Sequence, residues 1–151
     1  MNLRTASIKD ISILAIERLS FIDFSEEDSC YETIYKNCYQ YFEKAMAENM
    51  CDAILVEEDG ECIGTGIIFY YLSVPSAFNI TGKNAYITSM YVKEEFRRCG
   101  IGSAILKELI KKASQKEYEI IMLNASDMGK PLYSKMGFVE SNNGMILDKR
   151  K

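Results

Sequence analysis

The chain passes through Lys93-Glu94-Glu95-Phe96-Arg97-Arg98-Cys99-Gly100-Ile101-Gly102-Ser103, and that run has the residue types to hold an anion. Glycines at 100 and 102 let backbone run close to a ligand with no Cβ in the way, and the first N–H groups of a helix are unpaired donors at its positive end. Arg97 and Arg98 add fork-shaped cationic donors, so the combination favours a polyphosphate. The alternative is a purely structural turn with solvated arginines, since short glycine motifs recur by chance. Two familiar phosphate fingerprints fail. The dinucleotide pattern wants a small residue where Ile105 stands and an acid where Asn124 stands. A Walker A loop closes on Gly-Lys-Ser/Thr, whereas the Gly-Lys pairs at 82 and 129 are followed by Asn84 and Pro131.

The rest of the composition narrows the chemistry. There is no histidine, which removes the usual general base at neutral pH and any Ser-His or Cys-His nucleophile. The five cysteines, Cys30, Cys38, Cys51, Cys62 and Cys99, show no CxxC spacing, so neither a disulfide framework nor a metal site is expected. A net charge of -4 argues against a nucleic-acid partner, because counterion release needs a surplus of Lys and Arg; any phosphate site must be local. The apolar stretches at 67–72 and 120–123 are too short to span a bilayer. The expectation is one cytoplasmic domain over residues 1–151 with no membrane partner.

The elements that must position the turn follow from periodicity. Residues 2–6 read as a strand, Ser7 as a helix cap with Asp10 behind it, and Ile8, Ile11, Leu14, Ala15 and Leu19 recur at helical spacing. A second helix is expected from about Ser25, opened by Glu26, Glu27 and Asp28, to about Asn49. Strands at 53–57 and 62–72 flank the turn Glu58-Asp59-Gly60-Glu61, a hairpin. After a loop at 73–84 come a buried strand at 85–92, an amphipathic helix from Gly100 to about Gln115, and a strand at 120–123. That order makes a βαβ unit with parallel strands. A short helix at 128–136, ended by Gly137, and closing strands around 138–140 and 145–148 complete the reading.

Arg97-x-x-Gly100-x-Gly102 after a strand, with Pro131-Leu132-Tyr133-Ser134-Lys135-Met136-Gly137-Phe138 some thirty residues on, resembles the GNAT superfamily of acetyltransferases. The match is strong over residues 85–138. The resemblance implies an α+β acyl-CoA N-acyltransferase fold, a mostly antiparallel twisted sheet whose parallel pair splays at the cofactor site, flanked by helices. It implies acetyl-CoA as cosubstrate, no metal, and acetyl transfer to a primary amine of a small molecule or peptide by direct attack in a ternary complex. By analogy, the backbone of Met90, Tyr91 and Val92 pairs with pantetheine, and Arg97 with the amides of Arg98, Cys99, Gly100, Ile101, Gly102 and Ser103 holds the pyrophosphate. Tyr133 occupies the position of a proton donor to the departing thiolate, a role that suits a positioned O–H. Where many relatives carry a cofactor-facing asparagine, this chain has Ser126, with Asn124 two residues earlier; either is a candidate for the contact. A carboxylate or a water chain must serve as base, with Glu26, Glu27 and Asp28 on the acceptor side in the family. Acids and tyrosines in the second helix suit a cationic amine such as a polyamine, an amino sugar or a peptide amine. The same tyrosines offer a face for a homodimer. The competing function is a noncatalytic acyl-CoA-binding regulatory domain that keeps the turn and lacks the chemistry.

Overall fold

Strand β2, Cys51–Glu58, sends Cys51, Ala53 and Leu55 to one face and Ile54 and Val56 to the other, and all five are buried. A strand apolar on both faces needs cover on both, and the computed structural model, which describes residues 1–141 and 144–150, supplies it with two helical layers. On one face α1 (Ile11–Phe21) and α2 (Tyr31–Ala47) contribute Ile11, Leu14, Phe42 and Ala45 to a cluster with Cys51, Ala53, Leu55 and Ile67. On the other, α3 (Ile101–Gln115) lays Ile101, Ile105, Leu106, Leu109 and Ala113 against Ile54, Val56, Ile68 and Ile87. The helical spacing of those α3 residues is what turns one face of it to the sheet.

The sheet is five-stranded in the order β1-β2-β3-β4-β5, with β1 at Asn2–Thr5, β3 at Glu61–Leu72, β4 at Lys83–Val92 and β5 at Ile120–Leu123. Neighbours are antiparallel except β4 and β5, which run parallel on either side of α3, as the βαβ reading requires. Asp59 and Gly60 take φ of 50° and 80° at the β2–β3 turn, the left-handed pair a two-residue hairpin demands. Ser7 accepts a hydrogen bond from the Lys9 amide, while Asp10 accepts one from the Ser7 amide at 2.7 Å, so the cap exists, on a 3-10 turn that leads into α1.

Two irregularities in β4 create the site. Thr65 pairs with Tyr91 and Ile67 with Thr88, so Ser89 and Met90 face the single residue Gly66; Ser89 takes φ of 52° and the strand bulges. The parallel ladder with β5 stops at Ile87 and Leu123, while β4 runs on to Val92. Residues 88–92 therefore leave one edge of their backbone without a strand beside it.

Two expectations change. The second helix begins at Tyr31, because residues 25–30 form turns in which the Asp28 carboxylate takes the Ser25 amide at 2.6 Å, a local bond that competes with helix. Glu26, Glu27 and Asp28 thus precede the helix rather than opening it. No strand forms at 138–140 or 145–148: the sheet ends at β5, and Met145, Ile146 and Leu147 lie exposed. An isolated hairpin is marginal in water, and this segment does not dock on the β5 edge. Residues 142–143, between the two expected strands, lie outside the described residues. Among the described residues no helix is long and apolar enough to cross a membrane.

Candidate active site

Beyond Val92 the chain makes a 3-10 turn, Glu94–Phe96, then extends through Arg97. The Arg97 Nε donates to the Val92 carbonyl at 2.9 Å, and its guanidinium lies over the Tyr91 ring at 5.9 Å. Arg97 therefore fixes the turn to the end of β4 while leaving donors of its fork free. Arg98 and Gly100 both take left-handed backbone, φ 62° and 82°. Added bulk at Gly100 would meet nothing within 4 Å, so it is the backbone conformation that asks for glycine there. Gly100 precedes α3 with no side-chain cap, which leaves the first amides of the helix as open donors at its positive end.

This turn walls a cavity of about 390 Å³ between β4, α3 and α4 (Lys130–Lys135). Met90, Tyr91, Val92, Arg97, Arg98, Gly100, Ile101, Gly102 and Ser103 all line it; Cys99 does not, and its thiol is exposed. Tyr133 closes the far wall from α4, 9% exposed and edge-on to Phe138, with ring centres 6.0 Å apart. Burial pushes its phenol above the ordinary tyrosine range, so it holds its proton at neutral pH. Its hydroxyl has no hydrogen-bond partner among the described residues. A Cβ at Gly129 would sit 2.9 Å from the Tyr133 ring, so that glycine lets the ring into place.

Ser126 and Asn124 separate. Ser126 lines the turn cavity beside Tyr133, its hydroxyl accepting from the Gly129 amide at 3.1 Å. Asn124 lies outside that cavity, just past the last β4–β5 pair, and lines two others. One of these, about 660 Å³, lies between the sheet and α1–α2 and is lined by Arg18, Asn37, Cys38, Tyr41, Phe42, Phe69, Tyr86 and Thr88 among others. The second, about 520 Å³, shares Met90, Tyr91, Val92, Arg97, Ser126 and Tyr133 with the turn cavity and Arg18, Tyr86, Thr88, Ser89 and Asn124 with the first. The three form one channel through the splay between β4 and β5.

The charge along this channel is uniformly positive. Arg97 and Arg98 line the turn end and Arg18 the other, and among the described residues no Asp or Glu lines any of the three cavities. Glu26, Glu27 and Asp28 are exposed and line none of them. Cys38 and Tyr41 do, but burial pushes the thiol up and the phenol up to about 12, so both stay neutral. Sequence reasoning did not single out Phe96, Met128 or Leu132 of the turn cavity, nor Arg18. The first three carry no chemistry: Phe96 and Leu132 are partly buried against the core and Met128 is exposed. Arg18 had a signal, since it stands four residues after Leu14 and three after Ala15, on the buried face of its helix.

Known proteins place the chain. The model of the Acetyltransferase (GNAT) family matches residues 13–138. A solved structure of a predicted acetyltransferase with acetyl-CoA from Clostridium acetobutylicum is 31% identical and superposes with a TM-score of 0.86, covering 97% of this chain and 95% of that one. A GCN5-related N-acetyltransferase from Ralstonia eutropha, 19% identical, shares the fold at a TM-score of 0.83 over 97% of each chain. Thialysine N-epsilon-acetyltransferases of Sus scrofa and Bos taurus are 32% and 34% identical over 85 and 84 residues, 54% of this chain. The chain spans about half the length of these curated relatives, matching 47% of each. With its bulged, splayed β4, its arginine–glycine turn at the start of α3 and a family match over most of its length, the chain belongs to the GNAT family of acetyltransferases.

Proposed function

We propose that this protein transfers an acetyl group from acetyl-CoA to a primary amine by direct attack in a ternary complex. The observation that carries the reading is the continuity of the channel. A cationic turn with open helix amides stands at one end, a separate cavity at the other, and Tyr133 with the bulged backbone of Ser89 and Met90 lies where they join. The residues present fit coenzyme A. Arg97, Arg98 and the first amides of α3 suit a pyrophosphate, and the unpaired edge of residues 88–92 suits an amide-bearing arm laid along it.

Bound acetyl-CoA supplies an activated acetyl thioester. Tyr133, neutral and nine-tenths buried, gives its proton to the departing thiolate. The lining of the turn cavity by Ser126, and of the other cavity by Asn124, supports Ser126 as the contact to that arm and Asn124 as an acceptor-side residue. With no carboxylate lining the channel among the described residues, the ammonium proton of the acceptor leaves to solvent water rather than to a side chain. The thialysine N-epsilon-acetyltransferases support an amine as acceptor.

Calorimetric titration with acetyl-CoA, using NADH and ATP as controls, tests the reading. Micromolar binding of acetyl-CoA alone is expected. Absence of binding by both acetyl-CoA and free coenzyme A would overturn it and leave the glycine turn as structure.

A further inference from the structure

Every arginine that folds onto the sheet has to satisfy its guanidinium, and two of them do so in opposite ways. Arg4 is clasped by carboxylates, with Asp10 at 2.8 and 2.9 Å and Glu57 at 2.7 and 3.1 Å. Arg18 reaches from α1 to β4 and finds only hydroxyls: Nη1 donates to Ser89 Oγ at 2.9 Å and approaches Thr88 Oγ1 at 3.4 Å. Its guanidinium carbon lies 5.6 Å from the Phe21 ring centre. Among the described residues no Asp or Glu forms an ion pair with it, and Nε and Nη2 have no hydrogen-bond partner.

Arg18 is half-buried and lines both the 660 Å³ cavity and the 520 Å³ cavity that joins it to Tyr133. Among the described residues it is the one charged side chain lining the first, with walls that include Phe42, Phe69, Tyr41 and Tyr86. Apolar walls strengthen the field of an unpaired cation, and a guanidinium fork matches a carboxylate with two parallel hydrogen bonds. A polycation entering here meets a like charge with no acid to offset it. A single guanidinium, with no lysine or second arginine in the cavity, balances a singly charged group rather than a phosphate dianion.

We infer that the acceptor is an amine that also carries a carboxylate, held by Arg18, with the amine directed to the junction at Ser89 and Tyr133. The acceptor class is thus an amino acid or an amine of similar charge, and Arg18 is a residue that sets specificity. This rests on the proposed acetyl transfer and is tested separately from it.

The test compares each amino acid with its decarboxylated counterpart, such as lysine with 1,5-diaminopentane, by release of coenzyme A thiol. Wild-type protein is expected to show a higher kcat/KM for at least one carboxylate-bearing member. Arg18→Gln should lower the acid-to-amine ratio of kcat/KM by roughly tenfold or more, mainly through KM, and Arg18→Lys should restore part of it. Wild-type protein that acetylates none of the carboxylate-bearing members, or an Arg18→Gln ratio equal to wild type, would overturn the inference. So would an equal loss of kcat on both members of a pair, which assigns Arg18 to the reacting thioester. Acetyl-CoA titration of the wild type and of Arg18→Gln separates the two claims. Loss of binding in the wild type sinks the transfer reading itself, and retained binding by the variant shows that it is folded.

Discussion

Tyr133 reaches its place by a chain of small permissions: Pro131 in the first turn of α4, the Gly129 backbone beneath its ring and the Phe138 edge against it. Its phenol sits protonated, its hydroxyl without a partner among the described residues, in the wall that the turn cavity shares with the cavity beside it. Tyr133→Phe is expected to lower kcat by about 10²-fold or more, as loss of a positioned proton donor does, while coenzyme A affinity measured by calorimetry stays within about twofold. Gly129→Ala brings a methyl to 2.9 Å from that ring and should lower kcat by displacing the donor; its melting temperature and coenzyme A affinity tell displacement from unfolding. With no carboxylate lining the channel among the described residues, the proposed loss of the acceptor's proton to water predicts the pH profile. Below the acceptor's own ionisation kcat/KM should rise about tenfold per pH unit, and an inflection near pH 6–7 that stays put when the acceptor is changed would instead reveal a side-chain base. At this scale the turn end of the channel was legible as one wall because most of its residues, 90–92 and 97–103, are close in sequence. The other end was not, since Arg18, Cys38 and Tyr86 come from three elements and Asn124 from the loop after β5, and they meet only through tertiary packing. The acids of residues 26–28 drew attention by type and proved to be turn residues.

Among the elements, those with a continuous period were readable and those decided by a local competition were not. The strand, helix and strand from β4 to β5 carry their apolar positions at fixed spacing, and the Asp59-Gly60 pair announces its hairpin. Leu109→Ala, at a wholly buried position of α3, should cost about 2–5 kcal/mol in urea unfolding. The start of α2 was misplaced because one side-chain bond, Asp28 to the Ser25 amide, outweighs helix propensity over a few residues. The strands expected at 138–140 and 145–148 are short apolar runs, and they do not dock on the β5 edge. The N-terminal elements are held by charge as well as packing: Arg4 on β1 joins Asp10 before α1 to Glu57 on β2. The Arg4 guanidinium holds the Asp10 carboxyl well below the usual carboxylate range. A carboxyl lowered on folding stabilises the fold above its unfolded value of about 4 and loses that contribution as the pH falls below it. Arg4→Gln should therefore be most destabilising near neutrality, and the gap between its urea midpoint and that of the wild type should narrow progressively as the pH falls below about 4.

For the whole molecule, the two apolar faces of the sheet fix which helices lie where. What no periodicity announced is that the sheet is left incomplete on purpose, with β4 outrunning β5 past Ile87. Residues 88–92 are then a seam, backbone held on one side by β3 and open on the other. In the free protein their amides should exchange with deuterium faster than those of residues 84–87, and addition of acetyl-CoA should slow them; equal protection in both states would deny that the ligand closes the seam. A ligand that binds only the folded chain, present at a hundred times its Kd, adds about 2.7 kcal/mol of stability. Openings along the seam then become about a hundredfold rarer, and with them the chance of cleavage by a protease. A chain that binds acetyl-CoA as proposed should accordingly be cut more slowly by a protease with acetyl-CoA present than without it, so that the acyl donor would protect the protein as well as feed its reaction.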